Sequence, residues 1–159
     1  MNLRLPALAL VALCCAVSPV QAQGGTDPKD AAAIAACVKE HADDVDEAER
    51  RCVFALVAEP CTNKPDGQST FGTAECYRAE QRIWDAMLNE NFRALRDELD
   101  KAQRIKLRAM QLAWIAYRDT TCAFYNDKIQ GTMAVGMAAA CVARETARRA
   151  LLLKHFQGL

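Results

Sequence analysis

Serine is nearly missing from this sequence: beyond Ala22 the only one is Ser69. Histidine is almost as scarce, with His41 and His155 alone. A Ser-His-Asp triad would have to combine Ser69 with one of them, and no elbow-type motif surrounds Ser69. The seven glycines are scattered, so no phosphate-cradling loop is present. There is no C-x-x-C, and two histidines are too few to complete a zinc set, which leaves neither a metal nor a cofactor to expect. No stretch alternates apolar and polar residues between turn signals, so strands are not expected.

One apolar run does occur, Leu5 to Val17, preceded by Arg4 and followed by Val20-Gln21-Ala22. A positive start, a short apolar segment and a small-residue site describe a signal peptide over residues 1–22. A lipoprotein leader modified at Cys14 or Cys15 is the rival; Leu13 before Cys14 and Cys14 before Cys15 are poor matches to the small residue such sites prefer. Elsewhere no run approaches the ~20 apolar residues of a membrane span. The expectation is a periplasmic or secreted domain with no stable membrane span.

Net charge is zero but unevenly placed. Gln23 to Cys61 holds nine acidic and four basic residues, net −5, whereas Thr62 to Leu159 holds eleven and fifteen, net +4. The basic residues are spread along whole helices, which reads as solvated faces and not as a nucleic-acid patch. The acidic first third could steer a basic partner. This suggests an acidic N-terminal hairpin, 23–60, followed by a core, 61–159.

Six cysteines follow the leader: Cys37, Cys52, Cys61, Cys76, Cys122 and Cys141. An even number in an exported chain indicates three disulfides, and it removes any free thiol from consideration as a nucleophile. Spacing leaves fifteen connectivities open. Asp27-Pro28 starts one helix, and a second is expected from about Asp46 to Ala58 after a break near Asp43-Asp44. Cys37 and Cys52 then stand at similar heights in a hairpin. A Cys61–Cys76 bond would close the loop-like stretch CTNKPDGQSTFG, in which Pro65-Asp66-Gly67 is a turn signal. Thr73 can cap a third helix, about Ala74 to Leu99. A fourth runs from about Gln103 to Lys128 and a fifth from about Met133 to Phe156. Cys122 and Cys141 lie nine residues before and ten after Gly131, nearly level across an antiparallel pair. The fold class is all-α: a disulfide-stapled antiparallel bundle of about five helices.

On the fourth helix Gln111, Trp114, Arg118 and Cys122 fall along one stripe. Arg118 needs a carboxylate, and Glu80, one turn from Trp84 on the third helix, is the expected partner. Carboxylates such as Glu80 and Asp85 could also form a glycosidase-like pair, but structural pairing is favoured, as is a core role for Trp84 and Trp114. For binding, the loop from Asn63 to Phe71 is the candidate, because a disulfide at its base lowers the ordering penalty of association. Its contact residues would be Lys64, Asp66, Ser69 and Phe71.

These residues resemble the LprI-like lysozyme-inhibitor family. The matching blocks are Cys76-x3-Glu80-x3-Trp84-Asp85-x2-Leu88-Asn89, then Gln111-x2-Trp114-x2-Tyr117-Arg118-Asp119-x2-Cys122, then Cys141-x4-Thr146-x2-Arg149. Together they cover about Cys61 to Leu153. The resemblance implies an all-helical envelope domain that binds lysozyme; the missing nucleophiles point to a protein that is not an enzyme, and the helical spacing of the motif residues to a structural role for them. The namesake of the family is a lipoprotein, unlike the plain leader read here, and the hairpin with Cys37 and Cys52 lies outside the shared blocks. The competing function is a structural or accessory envelope protein that binds a cell-wall fragment, a small apolar ligand or a protein partner.

Overall fold

In a computed structural model, residues 26–159 are described. The leader expected over residues 1–22, with Cys14 and Cys15, lies outside the described residues.

Asp27 caps the first helix, α1 (Pro28–Glu40), its carboxylate accepting from the Lys29 amide at 2.9 Å while Pro28 supplies the preset φ of the first turn. Ile34 and Val38, one turn apart, are buried. Asp44 caps α2 (Val45–Cys52) in the same way, accepting from Glu47 N at 2.9 Å. The Cys37–Cys52 disulfide, with Cα atoms 5.8 Å apart, staples α1 to α2. The two helices then lean on the main core: Ile34, Val38, Ala48 and Cys52 join one apolar cluster with Ile83, Trp84, Leu88 and Leu153. Arg148 of the last helix adds an ion pair to Glu49 at 2.6 Å.

The second helix does not run to Ala58 as its pattern suggested. It stops at Cys52, Val53 turns extended and Phe54 takes φ 73°, after which a separate one-turn helix, α3, spans Ala58–Thr62. An aromatic residue at positive φ costs on the order of 1–3 kcal/mol, so neighbours must hold it there. Glu80 does so. Its carboxylate accepts from Phe54 N at 2.7 Å with one oxygen and from Ala58 N at 2.9 Å with the other. The Phe54 ring is buried edge-on against Tyr77 at 5.0 Å, with the Arg144 guanidinium 5.1 Å from its centre. That break turns the expected five helices into six.

A 3-10 turn at Pro65–Gly67 leads into α4 (Thr70–Glu98), followed by α5 (Lys101–Ile129) and α6 (Met133–Phe156). Among the described residues there is no strand, and the protein is an all-α, disulfide-stapled bundle. Asp100 opens α5 with a reciprocal capping box: its carboxylate accepts from Gln103 N at 2.8 Å and its amide donates to Gln103 Oε1 at 2.9 Å. The helix therefore starts two residues before the sequence pattern indicated. The central helix is α6, whose buried stripe is small: Ala139, Ala143, Ala147 and Ala150 let α4 pack along nearly its whole length. From the other side α5 rests on α6 and makes no comparable interface with α4. Cys122–Cys141, with Cα atoms 5.4 Å apart, fixes the α5–α6 register.

Glu80 is fully buried and its third donor is the Trp84 indole N–H at 2.8 Å. The expected Glu80–Arg118 ion pair does not form. Glu80 faces the 54–58 connector, whereas α5 sits across α6, so Arg118 pairs with its neighbour Asp119 at 2.7 Å.

Two outcomes follow. Glu80→Ala strands two backbone amides and an indole at about 1–3 kcal/mol per orphaned group, so urea denaturation should show a loss of about 3–5 kcal/mol; an unchanged midpoint would contradict this account. On α2, the Arg51 and Arg50 guanidiniums hold the Glu47 carboxyl down at about 2 from an ordinary 4.5. A depressed carboxyl stabilises the fold fully above pH 4.5 and loses that contribution as pH falls toward 2. Melting curves of Glu47→Gln should be flatter than the parent's across that window.

Candidate binding surface

The stretch from Cys61 to Cys76 folds into a rigid knot. Its ends are tied by the Cys61–Cys76 disulfide, with Cα atoms 5.6 Å apart. Lys64 N donates to Cys61 O at 3.0 Å and Gly67 N to Lys64 O at 2.9 Å, closing the 3-10 turn. The cap of α4 is Ser69, whose Oγ accepts from Gly72 N at 2.9 Å. Thr73, expected to be that cap, lies inside the helix, and its hydroxyl reaches back to Gly67 O at 2.8 Å. Glycine is required twice here. A Cβ on Gly67 would fall on the Cys61 carbonyl, and one on Gly72 on the Asp66 carbonyl.

Because α4 begins at Thr70, Phe71 stands on its first turn, 70% exposed. Lys64 and Asp66 are exposed on the knot, and Ser69, also exposed, has its hydroxyl engaged in capping. The knot abuts the start of α6. Gly136 stands at this junction, where a Cβ would meet the Thr73 methyl at 3.4 Å, an ordinary van der Waals contact. Between them lies a groove of about 310 Å³ lined by Gln68, Thr70, Thr73 and Tyr77 on one side and Met133 and Met137 on the other. Sequence reading missed Tyr77, Met133 and Met137 as parts of this face. The available signal was Met133 and Met137 one turn apart at a helix start.

The motif residues divide into three groups. Glu80, Trp84 and Thr146 are buried, Thr146 Oγ1 donating to Val142 O at 2.7 Å. Between α5 and α6, the half-buried Gln111, Trp114 and Arg118 and the buried Arg149 make a seam. Arg149 is 4% exposed, donates Nε–H to Gln111 Oε1 at 2.8 Å, and lies 5.7 Å from the Trp114 ring centre. Arg118 lies 4.8 Å from the same ring. Burial pushes the Arg149 guanidinium below its ordinary value, and its Nη2 has no partner within the protein. Asp85, Asn89, Tyr117 and Asp119 are exposed, with Asn89 Nδ2 donating to Asp85 Oδ2 at 3.0 Å. The structure does not bring this seam together with the knot residues.

A second, larger cleft of about 690 Å³ opens between the α1–α2 hairpin and the ends of α4 and α6. Val38, Val45, Met87 and Leu151 line it, and charged and polar residues of both signs, Lys39, Lys154, Asp43 and Glu90 with His41 and His155, stand around them. Among the described residues no group of His, Cys, Asp and Glu could hold a metal ion, and no helix is long and apolar enough to cross a membrane.

A family model described as lysozyme inhibitor LprI matches residues 61–153. The chain belongs to the LprI family. No curated protein and no solved structure matches it. The LprI segment begins at Cys61, the first residue of the knot, and takes in α4, α5 and most of α6, whereas α1 and α2 with their disulfide precede it.

Gly72→Ala drives a methyl group into the Asp66 carbonyl and should destabilise the protein by about 1–3 kcal/mol, since the helix cap must shift to admit it. Chemical denaturation checks this. Gly131→Ala, where the nearest atom is the Ile129 carbonyl oxygen at 3.8 Å, is the matched control and should change little.

Proposed function

We propose that this LprI-family protein is exported and acts without catalysis, binding lysozyme and blocking its cleft with the knot between Cys61 and Cys76. Family membership supplies the partner class, and the knot supplies the surface. The observation that carries the reading is an exposed aromatic, Phe71, on the first turn of α4, next to a loop that a disulfide, a helix cap and two close-packed glycines tie down. A preorganised loop loses little conformational freedom on association, so more of its contact energy appears as affinity. Lysozyme works with two carboxylates in an open cleft. Lys64 offers a cation to such a pair, Phe71 fills apolar space, and Asp66 and Ser69 supply acceptors at the rim. Met133 and Met137 extend the apolar part with side chains that adapt to a partner.

The α1–α2 hairpin is a separate addition to the 61–159 core in this reading. Its acidic surface attracts a basic enzyme and speeds encounter. Export through a leader cleaved near Ala22 fits three disulfides, which persist in oxidising compartments. A second reading rests on the larger cleft. Its apolar wall, rimmed by Lys39 and Lys154 and also by Asp43 and Glu90, suits a small amphiphilic ligand such as a cell-wall fragment, which would make the protein an accessory envelope component.

The deciding experiment mixes purified protein with several lysozymes in a cell-wall lysis assay. Inhibition is expected, with Phe71→Ala weakening it by about 10–100-fold as for a central aromatic anchor, while Met87→Ala in the other cleft leaves it unchanged. Absence of inhibition at tens of micromolar would overturn the proposal.

A further inference from the structure

The helix α5 turns Gln111, Trp114 and Arg118 toward α6 and an apolar stripe outward. Leu107 and Cys122 are its only buried residues, and the side facing α6 also carries Gln111, Trp114 and Arg118. On the opposite side stand Ile105, 64% exposed, and Leu112, 57% exposed. Ala109, Ala116 and Ala123, all exposed, continue this line at spacings of three, four and seven. At 100° per residue, Ile105, Leu112, Ala116 and Ala123 lie within about 40° of one another. Such spacing is the pattern of a helix seam. No element of the described chain covers it.

We infer that this stripe is where two copies of the chain pair, α5 against α5, antiparallel about a two-fold axis near Trp114. The charges choose the partner and the direction. The first turns carry Lys101, Arg104, Lys106 and Arg108 without an acid, and the acids of the helix, Asp119 and Asp127, are both in its second half. Parallel pairing would set the basic halves side by side. Antiparallel pairing about Trp114 instead puts Arg108 beside Asp119 of the second copy, within about one residue rise of level and on the same edge of the stripe, and symmetry repeats the contact. The same axis sets Leu112 opposite Ala116 and Ile105 opposite Ala123, large against small along the seam. A 29-residue helix is about 43 Å long, enough to form an extended two-helix contact.

Sedimentation velocity of the full exported chain, disulfides intact, tests this between about 1 and 100 μM, a range that spans ordinary dimer affinities. A dimer is expected, Leu112→Glu should convert it to monomer, and circular dichroism should show the variant still helical because the site is exposed. Arg108→Glu should weaken the dimer about 10-fold or more, and adding Asp119→Arg should restore it to within about 3-fold, a rescue that only a contact between opposite charges produces. A monomer at every concentration overturns the inference. So does a dimer indifferent to Leu112→Glu, or a monomer that uses the stripe to bind anionic phospholipid vesicles.

Discussion

The Glu80 carboxylate is the constraint on which the fold depends. Both oxygens are taken by three N–H donors, two from the backbone of the 54–58 connector and one from Trp84. An isolated buried carboxylate is among the most unfavourable groups a core can hold, and three oriented donors replace the water it has lost. The arrangement works in both directions. It satisfies the acid, and it pins the one place where the chain leaves helical geometry with an aromatic residue at positive φ. Through that pin the α1–α2 hairpin, α3 and α4 acquire a fixed relation, and the knot that starts at Cys61 is held on the same side as the start of α6.

Most of the architecture was legible in the residues. Three-and-four periodicity located the long helices, Asp27-Pro28 marked the first start, and the heights of Cys122 and Cys141 about Gly131 indicated the α5–α6 register seen here. The misreadings have a common cause. Continuing apolar spacing through Val53, Leu56 and Val57 looked helical because periodicity does not record a carboxylate arriving from α4 to take the Phe54 and Ala58 amides. Arg118 was assigned to Glu80 because both lie on apolar stripes, but spacing along a helix does not say which neighbour the stripe faces. With α6 between α4 and α5, the two side chains are separated and Arg118 turns to Asp119. Thr73 and Ser69 are both good capping residues, and the closure of Gly67 onto the Cys61 carbonyl selects Ser69 by shortening the loop.

The candidate surface was half legible. Its disulfide-tied half is contiguous in sequence, so Lys64, Asp66, Ser69 and Phe71 could be named together. Its other half, Met133 and Met137, comes from a helix more than fifty residues away and is visible only once α6 is packed on α4. The motif residues fall into a buried acceptor at Glu80, a guanidinium–indole–guanidinium seam at Arg118, Trp114 and Arg149, and an exposed set at Asp85, Asn89, Tyr117 and Asp119. Neither the acceptor nor the seam reaches the knot.

The three disulfides join the first cysteine to the second, the third to the fourth and the fifth to the sixth of the described chain. No bridge encloses another cysteine. A polypeptide emerging amino terminus first into an oxidising compartment can therefore close each bond as soon as its second thiol appears, and thiols oxidised strictly in order of arrival reach the native connectivity with no isomerase step.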